Sequence, residues 1–182
     1  EPSEAQTVSQ PVRTQIVIAE KAQNSVSFGN SKQNLILAQS FAIPAPNDPA
    51  SSVVIEKVSF ALTRRRNPIQ PITVSIRETL DGASLVSTQV VPSGLSEKPT
   101  SPTWVDVSFA APLNVTPAKT YFLVLSLEKE DGSHFYRWLY ERRNPYKDGA
   151  LWVRQRAVAE DALAKVSLLV TPPVPPPTPP PV

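Results

Sequence analysis

The chain has 182 residues, 41% of them hydrophobic, with no cysteine, no methionine and a formal net charge of +2. Such a length suits one domain with a full core, and the apolar share argues against intrinsic disorder. The missing cysteines exclude a disulfide framework, thiolate chemistry and cysteine-based zinc sites, no apolar run approaches the roughly 20 residues of a membrane span, and the nearly balanced charge gives no reason to expect nucleic acid.

The start, Glu1-Pro-Ser-Glu-Ala, reads as a mature protein processed after signal removal, which points to a secreted or cell-surface location. Residues 1–11 are polar and carry two prolines, so they are expected to form an arm. From Val12 the pattern alternates, with Val12, Thr14, Ile16 and Ile18 on one face and Arg13 and Gln15 opposite, as in a half-buried strand. Further strands are predicted at Leu35–Ile43, Val53–Leu62, Ile72–Glu78, Leu85–Val91, Trp104–Phe109, Tyr121–Leu127, Phe135–Tyr140, Ala150–Arg154 and Lys165–Val170. Turn chemistry separates them at Pro44–Pro49, Asp81-Gly82, Pro92–Gly94, Asp131-Gly132 and Asp148-Gly149. Val158–Ala164 is the one stretch that reads as a short helix. About ten short strands with such breaks predict an all-β, antiparallel, jelly-roll-like β-sandwich over residues 12–170. The end of the chain, 171–182, is mostly proline; proline fixes φ and lacks the N–H of a ladder, so an extended polyproline II tail is expected.

Several of these stretches recur together in a known pattern. They are Gln39-Ser-Phe41, Val58-Ser-Phe-Ala-Leu62, Ile72-Thr-Val-Ser-Ile76, Asp81-Gly82, Trp104-Val-Asp-Val-Ser-Phe109 with Pro112-Leu113, Tyr121-Phe-Leu-Val-Leu125, Tyr136-Arg-Trp138 and Tyr146-Lys-Asp-Gly149. Over residues 35–155 the chain resembles a family of secreted bacterial β-sandwich modules, the choice-of-anchor R type. The resemblance implies a β-sandwich displayed outside the cell. It rests on core and turn positions and implies no activity; the proline-rich end departs from the pattern.

No catalytic set is visible, and the chain is read as a non-enzyme. Its one histidine, His134, sits beside the Asp131-Gly-Ser133 turn, without a nucleophile-elbow pattern elsewhere. Zinc lacks ligands, and the acids Glu128, Glu130 and Asp131 crowd one turn. No cofactor is expected, although a Ca²⁺ site made of loop carbonyls stays open.

Two functional readings follow. In the first, the protein is a self-assembling extracellular subunit of a filament, tube or surface layer, and its partner is itself. A preformed rod loses little conformational freedom on docking, so the tail (Pro172, Pro173, Val174, Pro175, Pro176, Pro177, Pro179 and Pro180) would lie in a groove of the next subunit. The N-terminal segment, with Val12, Arg13, Ile16 and Ile18, would add a strand to a neighbour's sheet. In the alternative, the protein is a non-catalytic carbohydrate-binding or adhesive module with a proline-rich linker. Its glycan platform would be Tyr140, Tyr146 and Trp152, with Arg142 and Arg143 for polar contacts. The clusters Arg64-Arg-Arg66 and Arg142-Arg143 otherwise pair with acids. Asn114, in the sequon Asn114-Val-Thr116, and Thr171 and Thr178 in the tail are possible glycosylation positions. Neither nucleic acid nor membrane insertion is expected.

Overall fold

The computed structural model describes residues 9–181. Thirteen strands run in order: β1 (Val12–Ala19), β2 (Asn24–Phe28), β3 (Ile36–Ala42), β4 (Ser52–Arg65), β5 (Ile72–Arg77), β6 (Ser84–Val90), β7 (Thr103–Val115), β8 (Thr120–Ser126), β9 (Phe135–Arg142), β10 (Leu151–Val153), β11 (Arg156–Val158), β12 (Glu160–Ala162) and β13 (Ala164–Thr171). All pairings are antiparallel. A seven-stranded sheet follows the path β1-β13-β4-β9-β12, with β2 on β9 and β7 on β4; a six-stranded sheet runs β11-β10-β3-β8-β5-β6. The all-β, two-sheet, jelly-roll-like architecture is therefore as predicted. Among the described residues no helix is long and apolar enough to cross a membrane.

Alternation along each strand explains the layering. Leu37 and Phe41 from β3, Tyr121, Leu123 and Leu125 from β8, and Val74 and Ile76 from β5 point inward. They meet Val58, Phe60 and Leu62 of β4, Tyr136 and Trp138 of β9, and Val166 and Leu168 of β13. Full burial of each such side chain stabilises the fold by about 1.5–3 kcal/mol. In β4 the inward set changes phase, from Val53 and Ile55 to Val58, Phe60 and Leu62, because the pairing registers shift near Glu56. The bulge lets a 14-residue strand keep apolar groups on one face at both ends.

The strand seen first in the sequence is the end of the seven-stranded path, and it pairs with the chain's own β13. Ile16 and Ile18, expected at a subunit interface, are buried in the core of the chain's own domain. Their side chains are consumed by the domain itself.

Val158–Ala164 is not a helix. Arg156–Val158 pairs with β10, Glu160–Ala162 with β9, and β13 begins at Ala164. Leu163 joins the last two: its N–H donates to the Leu139 carbonyl at 2.8 Å, and its carbonyl accepts from Ala61 N–H at 3.1 Å. The alanines favour helix intrinsically, but the open ladders on both sides outweigh that small preference. Sequence reading also passed over β2, whose Val26 and Phe28 face inward between serines.

Pro173–Pro181 is solvent-exposed and has neither helix nor strand, with Val174 at 89% exposure.

Candidate functional site

Residues on the outer face of the six-stranded sheet and in the adjoining loops border a concavity. Matched registers set Trp152 of β10 beside Ala38 of β3, Ala38 beside Val124 of β8, and Val124 beside Ser75 of β5. Small side chains in that row leave room for one large ring. The Trp152 indole is fixed from two directions. Its Nε1–H donates to Ser40 Oγ at 3.3 Å, and Phe122 stands against it at 5.6 Å with the planes 70° apart. Ser40 Oγ in turn accepts from Ala150 N–H at 2.9 Å, which holds the start of β10 in place.

On one side of Trp152 lies a cleft of about 520 Å³. Leu35, Ile36 and Leu80 supply its apolar walls, and Lys32, Gln33, Arg77, Asp81, Arg154 and Gln155 its polar ones. A second hollow of about 300 Å³ continues past the indole to Thr79 and Phe122. The two concavities share Leu80, Asp81, Trp152 and Gln155.

Two arginines are held by their neighbours. Arg77 donates from Nη1 to the Leu80 carbonyl at 2.9 Å, which fixes the β5–β6 loop, while its buried Nε has no hydrogen-bond partner. Arg154 donates from Nε to Asn34 Oδ1 at 3.0 Å. Among the described residues, none of Lys32, Arg77, Arg154 and Asp81 joins an ion pair within 4.0 Å. Arg154 and Gln155 form the two-residue β10–β11 turn with φ of 50° and 62°. Such a turn prefers Asn-Gly. Long side chains in left-handed backbone are strained, and that kind of strain gathers at functional sites.

The expected glycan platform does not assemble. Of its members only Trp152 lines the cleft. Tyr140 lies on the inward face of β9 and packs against the core with Tyr136 and Trp138. Tyr146 is half-buried; its hydroxyl accepts from Ala42 N–H at 3.1 Å, and its own N–H donates to Asp161 Oδ2 at 2.8 Å. Both tyrosines are packing and anchoring groups. Arg142 and Arg143 are exposed, and Arg142 N–H is taken by Gln23 Oε1 at 2.8 Å. Arg64 and Arg137 cap the carbonyls of Leu95, Arg66, Glu97 and Arg64, and Arg64 also meets Glu97 at 3.5 Å.

The other expected positions are scattered. Val12 is exposed, and Arg13 pairs with Glu56 at 3.2 Å. Asn114 is exposed on β7, and Thr171 is half-buried at the end of β13. Thr178 lies in the exposed tail, as do Pro173, Pro175, Pro176, Pro177, Pro179 and Pro180, while Pro172 is half-buried. His134 Nδ1 sits 3.0 Å from Asp131 Oδ2, closing a local turn. The Asp131 carboxyl is held below its ordinary value by the backbone N–H of Ser133 and then that of His134. Among the described residues no His, Asp and Glu side chains gather into a metal-binding group.

Sequence reading missed Lys32, Arg77, Leu80 and Phe122 as site residues. Arg77 carried a signal: it continues the outward phase of a strand whose Ile72, Val74 and Ile76 point inward. Its meeting with β10 depends on the strand order β10-β3-β8-β5, which no local pattern encodes.

No family model matches the chain, and no curated protein matches it. Among solved structures it is similar to a family two carbohydrate esterase from Cellvibrio japonicus, at 10% identity and a TM-score of 0.29. It is also similar to infectious bursal disease virus, Gx strain, at 14% identity and a TM-score of 0.34. The chain spans 37% and 40% of the length of those two chains.

Proposed function

We propose that this protein is a non-catalytic carbohydrate-binding or adhesive module of the secreted or cell-surface kind, with its sugar site in the cleft beside Trp152. One observation carries the reading: an indole held by Ser40 and Phe122 that borders two hollows lined by both apolar and polar side chains. A sugar ring offers an apolar C–H face and a belt of hydroxyls, and that pattern fits one flat aromatic wall bordered by hydrogen-bonding groups. Because Ser40 and Phe122 fix the ring beforehand, little rotamer freedom is lost on binding. A non-catalytic role belongs to the same reading, since among the described residues Asp81 is the one carboxylate lining the cleft and glycoside cleavage ordinarily needs two. The sequence resemblance to the choice-of-anchor R type, with its external display, is consistent with such a role.

The Trp152→Ala variant tests it. Immobilised polysaccharides should retain the wild-type chain, and the variant should bind at least about tenfold more weakly, the loss of one buried aromatic contact. Unchanged unfolding midpoints would assign the loss to the site. Equal retention of both proteins, or of neither, would refute the reading.

The exposed tail supports a second reading, the self-assembling subunit, in which Pro173–Pro181 docks on a neighbouring copy.

A further inference from the structure

We infer that the ligand of the Trp152 cleft is an acidic polysaccharide, one whose sugars carry carboxylate or sulfate groups. The inference rests on the proposed carbohydrate-binding role and adds the charge of the sugar. Three cations, Lys32, Arg77 and Arg154, line the cleft against the single carboxylate Asp81. None of the four is neutralised by an ion pair among the described residues. Ion pairs do form at other places on the fold, between Arg13 and Glu56, Lys57 and Asp106, Lys119 and Glu78, and Lys165 and Glu20. What marks the cleft is that three cations and one carboxylate converge on a single concavity.

The placement of the guanidinium groups points the same way. Arg154 is gripped at Nε by Asn34, so its fork is oriented while its two terminal nitrogens stay available. A planar fork matches the two oxygens of a carboxylate, or two of a sulfate ester. The strained Arg154-Gln155 turn keeps that fork at the rim, where an anionic substituent stands when the sugar face lies on Trp152. Asp81 accepts from sugar hydroxyls and repels an anion placed too close, which selects one orientation of the ring.

Affinity electrophoresis of the full chain tests this, with polygalacturonate (carboxylate), chondroitin sulfate (both groups), and xylan and glucomannan (neutral) in the gel. The acidic polymers should retard the wild type more strongly than the neutral ones, and added salt should weaken retardation. Arg154→Gln and Lys32→Gln should each weaken binding to acidic polymers about fivefold to tenfold, the worth of one charge-assisted contact. Both residues are exposed, so the variants should fold; Arg65→Gln with Arg66→Gln, exposed and outside the cleft, should bind as wild type. Retardation by neutral polymers that depends on Trp152 but not on Arg154 or Lys32 would overturn the acidic specificity and leave the carbohydrate reading standing. Retardation insensitive to Trp152 would overturn both. Binding lost on changing Arg65 and Arg66, yet kept in the cleft variants, would overturn the inference in favour of general polyanion adsorption.

Discussion

At the scale of single residues, two positions outside the cleft hold the strand that carries Trp152. Gly149 lies so close to β3 that a Cβ there would fall 1.9 Å from the Ser40 carbonyl oxygen, a backbone atom that cannot step aside. Gly149→Ala should cost about 3 kcal/mol, the upper end of ordinary point substitutions. Urea titration should show it as a lower midpoint, with loss of the Trp152 signal on near-ultraviolet circular dichroism. Beneath the same loop, Asp161 is fully buried, and its carboxylate accepts from Gln39 Nε2 at 2.9 Å and from Tyr146 N–H at 2.8 Å. Burial raises its pKa above the ordinary 3.8, more than those bonds lower it. The folded state then binds more protons than the unfolded chain from about pH 3.8 up through the raised value. Stability from this group must fall as pH rises through that window. The stability of wild type minus that of Asp161→Asn should therefore grow on acidification toward pH 4, by chemical denaturation at a series of pH values; growth in the opposite direction would contradict a raised pKa.

At the scale of elements, the β10–β11 hairpin is where local strain and the candidate function meet. Gln155 sits at φ 62°, a backbone conformation that glycine enters freely. Gln155→Gly should therefore stabilise the fold by about 0.5–1 kcal/mol, relief of strain minus the added freedom of the unfolded chain. A higher thermal midpoint with weaker polysaccharide binding would mean that the strained turn serves the ligand. Strand existence was legible wherever apolar residues alternate cleanly, as in Ile72, Val74 and Ile76 or Tyr121, Leu123 and Leu125. It was illegible where pairing is won from outside: Glu160–Ala162 has no β pattern and becomes a strand because β9 offers an open ladder. The site followed the same rule. Trp152 was legible as an aromatic near basic residues, whereas Tyr140 belongs to the interior by the phase of β9 and Tyr146 by the fold of the loop after it. A phase of two residues decides which ring faces water, and it can be read only once the partner strands are known.

At the scale of the whole molecule, the question is whether the tail belongs to the domain or to a neighbour. Within the chain it contributes no ladder: β13 ends at Thr171, and Pro173–Pro181 projects exposed beyond it. The other proposed assembly element is already partly spent, since Val12–Ala19 pairs with β13 and buries Ile16 and Ile18. Strand exchange through those residues would have to break the domain first. Docking of the tail would break no strand, because Pro173–Pro181 lies outside both sheets. Truncation after Thr171 should hence leave the unfolding midpoint within about 1 °C, as expected for an exposed terminal segment outside both sheets. Light scattering at rising concentration then separates the two readings of the molecule. A full-length chain that forms large species, with a truncated chain that stays monomeric, would establish the tail as the assembly element. If both remain monomeric at every concentration while binding polysaccharide equally well, the tail acts only as a spacer, and function resides in the Trp152 face of the sandwich.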